Sequence, residues 1–272
     1  MSWPWALLFA WLVTACGFTL AVTLRLPRKR RTFPLAPLPP ALVVVRPVDA
    51  PTALERATLA ALPGVRQLVV SPPGVHQADW GEHLPSQPGT SNRKVGHLAA
   101  ALATLPPSAV VVTADADVRL TSELLSALVT PLLEGAALCT AAPRPEALAG
   151  LGAWAFGGLL NHTHLSFRAS AALTAGAPAV RGEALALGPG ARALLPTLGT
   201  CAAEDLELAR LLHARGARVA LAEVDAPAPR GRQPLRQALR RLTRWMVVLQ
   251  AHRPALAWTV PALFCASLAA RS

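Results

Sequence analysis

The sequence predicts an α/β protein: a Rossmann-like, mostly parallel sheet with flanking helices, an N-terminal transmembrane helix and a C-terminal interfacial helix. Three observations predict it. Short apolar runs alternate with segments of helical period across residues 41–229. The chain opens on a long uncharged apolar stretch. Near its end lies an arginine-rich segment whose leucines recur every three or four residues.

The N-terminal stretch, Trp3 to Leu24, has 22 residues and no charge, and about 20 apolar residues suffice to cross a bilayer as a helix. Trp3, Trp5 and Trp11 crowd its start like an interfacial aromatic belt. Arg25, Arg28, Lys29, Arg30 and Arg31 follow at once and, by the positive-inside rule, mark the cytoplasmic side. A cleaved signal peptide would need a basic segment before the apolar run, and none is present. Residues 1–31 therefore read as an anchor with a basic flank in the inner (cytoplasmic) membrane, with the domain that follows in the cytoplasm. Residues 32–40, with Pro34, Pro37, Pro39 and Pro40, read as a stiff linker.

Beyond the linker, Leu42–Val45 is a buried-strand run. Thr52 and Glu55 have capping-box spacing for a helix reaching Leu62. Gln67–Val70 is a second strand, closed by Ser71-Pro72-Pro73-Gly74, and Gln77–Gly89 is polar and turn-rich, which predicts a loop. Ser91 or Asn92 caps a helix through Thr104; Ala109–Thr113 is a third strand, and Thr121–Leu133 a further helix. Strands separated by helices of this length form parallel βαβ units, and ligands of such sheets lie beyond the carboxyl ends of the strands.

Asp115 and Asp117 stand just past the third strand, in Ala-Asp-Ala-Asp-Val. In extended chain, residues two apart share a side, so the pair offers two hard oxygen ligands for Mg²⁺ or Mn²⁺, which in turn binds a diphosphate. Glu204 and Asp205 open a helix with a leucine stripe. They are either acids favoured by the helix dipole or a general base for an acceptor hydroxyl. From Arg230 to Arg253 there are seven arginines and no acid. Residues 230–253 read as a basic amphipathic helix on a membrane surface, whose guanidiniums can also bind a diphosphate. Pro254 to Ala270 is 17 uncharged residues, the short end of the spanning range, and the hydrophobic C-terminal segment 254–272 reads as a short membrane helix, a re-entrant segment or a hydrophobic tail.

Composition narrows the function classes. Hydrophobic residues make up 53% and mean hydropathy is +0.39, high for a soluble enzyme. Cys16, Cys139, Cys201 and Cys265 are far apart, which argues against a zinc site or a disulfide framework. The net charge of +11 sits largely in amphipathic or membrane-flanking sequence without a nucleic-acid motif, so nucleic acid is not an expected partner. His162 and His164 do not share a helix face, and they read as interfacial or acceptor-site residues near Trp154, Phe156 and Phe167.

Taken in order, these segments resemble the ceramide glucosyltransferase family and its bacterial relatives, among them the hopanoid-biosynthesis glycosyltransferases, over roughly residues 41–254. Ser91-Asn92-Arg93-Lys94-Val95-Gly96-His97-Leu98 is similar to the family's N-x-K-x-x-x-L segment, and Asp115-Ala116-Asp117-Val118 to its D-S-D-[IV] motif. Gly182 and Glu183 stand in its Gly-containing loop, Glu204-Asp205 in its (E/D)-D segment, and Arg241-x-x-Arg244-Trp245 matches (Q/R)xxRW. The resemblance implies a GT-A fold, a UDP-sugar donor, a lipid acceptor and inversion at the anomeric carbon. It implies metal binding by Asp117 and Asp115, and a catalytic base at Asp205 beside Glu204. Asn92, Lys94, Asp115, Arg241, Arg244 and Trp245 would hold the donor and its diphosphate, and Gly182 and Glu183 would belong to the acceptor loop. The family's acidic residue after the second strand is replaced by Ser71-Pro72-Pro73. A non-catalytic membrane partner of the same fold is therefore the alternative to a metal-dependent hexosyltransferase.

Overall fold

The computed structural model describes residues 38–161 and 180–252, together with Ala6, Phe9, Ala10, Val13 and Gly17, which are helical. The proposed anchor is otherwise outside the described residues, as are His162, His164, Phe167 and the segment from 253 onward. Among the described residues no helix is long and apolar enough to cross a membrane.

The centre of the fold is β1 (Leu42–Pro47), in which all six residues are buried. It pairs in parallel with β2 (Arg66–Ser71) on one side and β4 (Val110–Ala114) on the other. The chain thus winds first one way and then the other, and β1 sits at the topological switch point where α/β sheets bind ligands. Seven strands form the sheet in the order β3-β2-β1-β4-β7-β5-β8. These include β3 (Glu82–Pro85), β5 (Leu138–Thr140), β7 (Ala184–Leu187) and β8 (Val219–Leu221). Within this sheet β7 runs antiparallel, against β4 and β5.

Successive side chains of a strand face opposite ways, so β1 feeds two cores. Val43 and Val45 pack with Val95 and Leu98 of α2 (Arg93–Thr104) and with Leu208 and Leu212 of α6 (Glu204–Ala214). Leu42 and Val44 pack with Leu124, Leu125 and Leu128 of α3 (Ser122–Leu133). The helices start where side-chain caps were expected. Asn92 accepts from Val95 N, Thr121 accepts from Leu124 N, and Thr52 and Glu55 form a capping box at α1 (Ala53–Thr58). α5 (Pro189–Leu194) completes one face.

A second unit covers the carboxyl ends of the sheet. Here β6 (Pro143–Ala149) pairs in parallel with β9 (Ala226–Arg232). Residues 150–161 form α4, which places Phe156, Leu159 and Leu160 against Ala238, Leu242 and Trp245 of α7 (Leu235–His252).

Three sequence expectations change. The helix after Thr52 ends at Thr58, not Leu62. Thr58 donates its hydroxyl to Glu55 O at 2.8 Å and to the carbonyl of Ala116, while Leu59 turns inward to meet Trp80. Residues 77–89 are not all loop: Ala78–Trp80 is a 3-10 turn and Glu82–Pro85 is the edge strand β3. The polar composition hid that strand, and a buried indole anchors it; Gln67 clamps the turn by donating to Leu59 O at 2.6 Å and Trp80 O at 2.7 Å. Finally, Arg230 to Arg232 belong to β9, so the basic helix begins at Leu235 rather than at residue 230.

Trp80 is fully buried against Val48, Leu59 and Val69. Truncating such a side chain leaves a cavity, so Trp80→Ala is expected to cost about 3–5 kcal/mol, read as a lowered urea midpoint with β3 the first segment to exchange its amide hydrogens.

Candidate active site

The turn after β4, the loop before β7, the starts of α2 and α6, and residues of α4 and α7 line a cavity of about 920 Å³. The motif residues singled out from the sequence line it: Asn92, Lys94, Asp115, Asp117, Gly182, Glu183, Glu204, Asp205, Arg241, Arg244 and Trp245. Their chemistry divides into an acidic side around Lys94 and an arginine-aromatic side under α7.

Lys94 stands in the first turn of α2. Its Nζ lies 2.8 Å from Asp115 Oδ1 and 3.4 Å from Glu204 Oε1, and it donates to Gly182 O at 2.7 Å. Burial works against its charge, but the carboxylates of Asp115, Glu204 and Asp205 outweigh burial and raise its pKa. Asn92 caps the same helix with its oxygen and uses its amide to reach Cys201 O at 2.8 Å and Glu204 Oε2 at 2.9 Å. The start of α2 therefore fixes the start of α6.

The loop before β7 ties these elements together through its backbone. Gly182 N donates to Asp205 Oδ2 at 3.1 Å, and Asp115 N donates to Glu183 O at 2.8 Å. A Cβ at position 182 would lie 3.2 Å from Lys94 Nζ and 3.3 Å from Asp205 Oδ2, so a side chain there would push these two groups aside by a few tenths of an ångström. Asp205 Oδ1 also accepts from Leu206 N at 2.8 Å. Burial first, and then the charge of Glu204, push the Asp205 carboxyl up to about 6. Burial likewise raises Asp115, against the pull of Lys94 and with the help of Asp117.

Behind the two aspartates sits Arg46, a fully buried residue of β1 that the sequence reading did not select. One of its nitrogens donates to Asp115 O at 2.9 Å and to Val118 O at 2.9 Å, holding the turn that carries both carboxylates. Burial lowers its pKa to about 10, and the charges of Asp115 and Asp117 oppose that fall. A charged residue inside Leu-Val-Val-Val-Arg-Pro was the available signal.

On the other side, Arg230 of β9 is ion-paired to Asp117. Its guanidinium lies 5.4 Å from the Phe156 ring centre, and that of Arg241 lies 5.1 Å from the same ring. Phe156 and Trp245 are 5.3 Å apart, with Arg181 5.8 Å from the Trp245 ring. Burial, followed by repulsion from Arg230, lowers the pKa of Arg241. The sequence placed Arg230 in the amphipathic helix, and nothing local distinguished it from the neighbouring arginines.

The pair Asp115 and Asp117 fits a hard divalent cation. Both carboxylates border the cavity and both already engage cations, Lys94 and Arg230. Among the described residues no three His, Cys, Asp or Glu side chains are grouped to hold a metal alone. That suits Mg²⁺-like ions, which take one or two carboxylates and complete their shell with water and substrate phosphates.

The family model for glycosyl transferase family 21 matches residues 56–271. In overall structure the chain is similar to the mannosyltransferase PcManGT from Pyrobaculum calidifontis in complex with GDP-Man and Mn²⁺. That similarity has a TM-score of 0.57 at 16% identity and covers 97% of this chain and 86% of that one. It is also similar to a protein from Mycobacterium sp. strain JC1, with a TM-score of 0.44 at 16% identity over 78% and 100% of the two chains. A third similarity is to 2-C-methyl-D-erythritol 4-phosphate cytidylyltransferase from Thermus thermophilus, with a TM-score of 0.40 at 18% identity over 74% and 98%. No curated protein matches the sequence. The first likeness carries the fold: a GT-A-like α/β domain with a mostly parallel sheet.

The raised pKa of Asp205 has a stability consequence. Its folded pKa, about 6, lies above the ordinary 3.8, so the ionised form is disfavoured in the folded protein. The cost is absent below about pH 4, grows as pH rises and is complete above about pH 6. Asp205→Asn is therefore expected to stabilise the fold by on the order of 1 kcal/mol at pH 7.5, with the gain vanishing in melts near pH 4.

Proposed function

The chain belongs to glycosyl transferase family 21, the ceramide glucosyltransferase-like family, and from that premise we propose that it moves a hexose from a UDP-sugar to the hydroxyl of a membrane lipid with inversion. The observation that carries this reading is the cavity itself. It collects a raised-pKa carboxylate, a pair of aspartates beyond a strand end and a cluster of arginines on aromatic rings.

In this reading, the acceptor oxygen attacks the anomeric carbon from the face opposite the leaving diphosphate. Asp205 takes the acceptor's proton, and the bond to the diphosphate breaks with its electron pair. A carboxylate with a pKa near 6 is a stronger base than an ordinary one, yet it is still ionised at neutral pH. Glu204 and Lys94 set its electrostatic surroundings, and Gly182 N fixes one of its oxygens. Arg241, Arg244 and Trp245 close over the donor phosphates, where fixed positive charge stabilises the leaving group. Asn92 and Lys94 stand on the nucleotide side, and Gly182 and Glu183 face the acceptor. Asp115 and Asp117 would hold Mg²⁺ or Mn²⁺, which supplies charge neutralisation to the departing diphosphate. The mannosyltransferase of similar fold binds GDP-Man with Mn²⁺, which supports a nucleotide-sugar donor with a divalent ion.

A membrane setting is supported by the outer face of the covering helices. Leu151 and Trp154 on α4, with Leu235, Leu239 and Val247 on α7, are exposed apolar residues beside arginines. Such a face favours an anionic lipid surface, at the cytoplasmic leaflet if residues 1–31 anchor the chain as their charge implies. One observation favours the second reading, an impaired partner protein. Buried Ser71, bonded to His83 Nε2 at 3.0 Å, replaces the strand-two acid.

Incubating the purified protein with Mn²⁺ or Mg²⁺, radiolabelled nucleotide sugars and extracted lipid separates the two readings; no transfer or donor hydrolysis from any donor overturns the enzyme. In an active preparation, Asp117→Ala is expected to abolish metal-dependent turnover. Asp205→Asn is expected to keep donor binding and lose about 10²–10⁴-fold in kcat. Wild-type kcat/KM is expected to rise with pH and level off above about pH 6, as Asp205 ionises.

A further inference from the structure

Resting on the donor reading above, we infer that Arg230 is a ligand for the donor's phosphates, held on Asp117 until a nucleoside diphosphate enters the cavity. The inference starts from a cost. Arginine is almost never fully buried without a partner, yet the Arg230 side chain is 4% exposed. It follows Ala226 and Ala228, both fully buried, at two-residue spacing on β9. A strand face of small apolar residues thus ends in a guanidinium aimed at the cavity. Among the described residues its side-chain partner is Asp117, and its Nε has none. Nor does the neighbourhood favour a second cation: Arg241 shares the Phe156 ring and is itself opposed by Arg230. Six cationic side chains and five acidic ones line the cavity; three of the acids, Asp115, Glu204 and Asp205, act on Lys94, while Asp117 is ion-paired to Arg230.

Asp117 therefore has two claimants, Arg230 and a divalent cation. A cation arriving alone takes the carboxylate and strands Arg230 in a buried site without a counter-ion, which is strongly unfavourable. When a diphosphate arrives as well, Arg230 transfers to phosphate oxygens, whose geometry suits its planar fork, and Asp117 is released. Cation and nucleotide binding are then positively coupled through one side chain. A purely structural Arg230 would add nothing to the coupling that direct contact between the cation and the phosphates already supplies.

The test measures binding, not turnover. Wild type and Arg230→Gln would be titrated calorimetrically with MnCl₂ alone, and with UDP and GDP at saturating MnCl₂. The variant is expected to bind Mn²⁺ alone about tenfold more tightly, to bind the nucleoside diphosphate about tenfold more weakly, and to show weaker coupling between the two than wild type. Effects of opposite sign support the exchange. Weaker binding of both ligands, or no change in either, overturns it. If wild type binds neither UDP nor GDP, the donor reading itself falls and this inference falls with it. Should Arg230→Gln fail to fold, Arg230→Lys keeps the charge and loses the fork. It is expected to weaken nucleotide binding while leaving Mn²⁺ binding near wild type, and unaltered nucleotide binding by Arg230→Lys overturns the phosphate contact.

Discussion

One ammonium group holds the site together. Lys94 reaches Asp115 beyond β4, the Gly182 carbonyl before β7 and Glu204 at the start of α6. These segments carry buried or half-buried acids that would repel one another without a shared cation. In water such contacts contribute little, but in a partly enclosed cavity the same charges act through a lower dielectric. Asn92, at the cap of the same helix, bonds the same glutamate. The helix α2 is thus the beam from which the acidic side of the cavity hangs.

The opposite side obeys a different constraint. Arg181, Arg230 and Arg241 rest against the rings of Phe156 and Trp245, where the ring quadrupole attracts a cation. Those rings come from two helices, α4 and α7, whose outward faces expose leucine, valine and tryptophan. A lipid surface on one side and an anion site on the other would therefore share the same pair of helices.

The sheet and the motif residues that line the cavity were legible in the sequence because their signals are local. Val43, Val44 and Val45 announce a buried strand, Asn92 and Thr121 cap the helices they were expected to cap, and Asp115-x-Asp117 follows its strand directly. What was missed lacked a local signal. β3 is four polar-leaning residues whose place depends on Trp80 packing under a neighbouring loop. Arg46 looks like the end of a strand until its guanidinium is seen holding the aspartate turn.

By itself, the sequence determined which motif residues to look for, and the fold gathers those from Asn92 to Trp245 around one cavity. Hydrophobic period, capping and motif order are properties of short stretches, and short stretches can be read directly. Only the tertiary structure decided which charge answers which. Asn92 meets Glu204 across 112 positions and Arg230 meets Asp117 across 113. Pairings of that span follow from strand order and from the β6-β9 unit lying over the sheet, and the energy of a buried charge depends on its partner rather than on its neighbours in the chain.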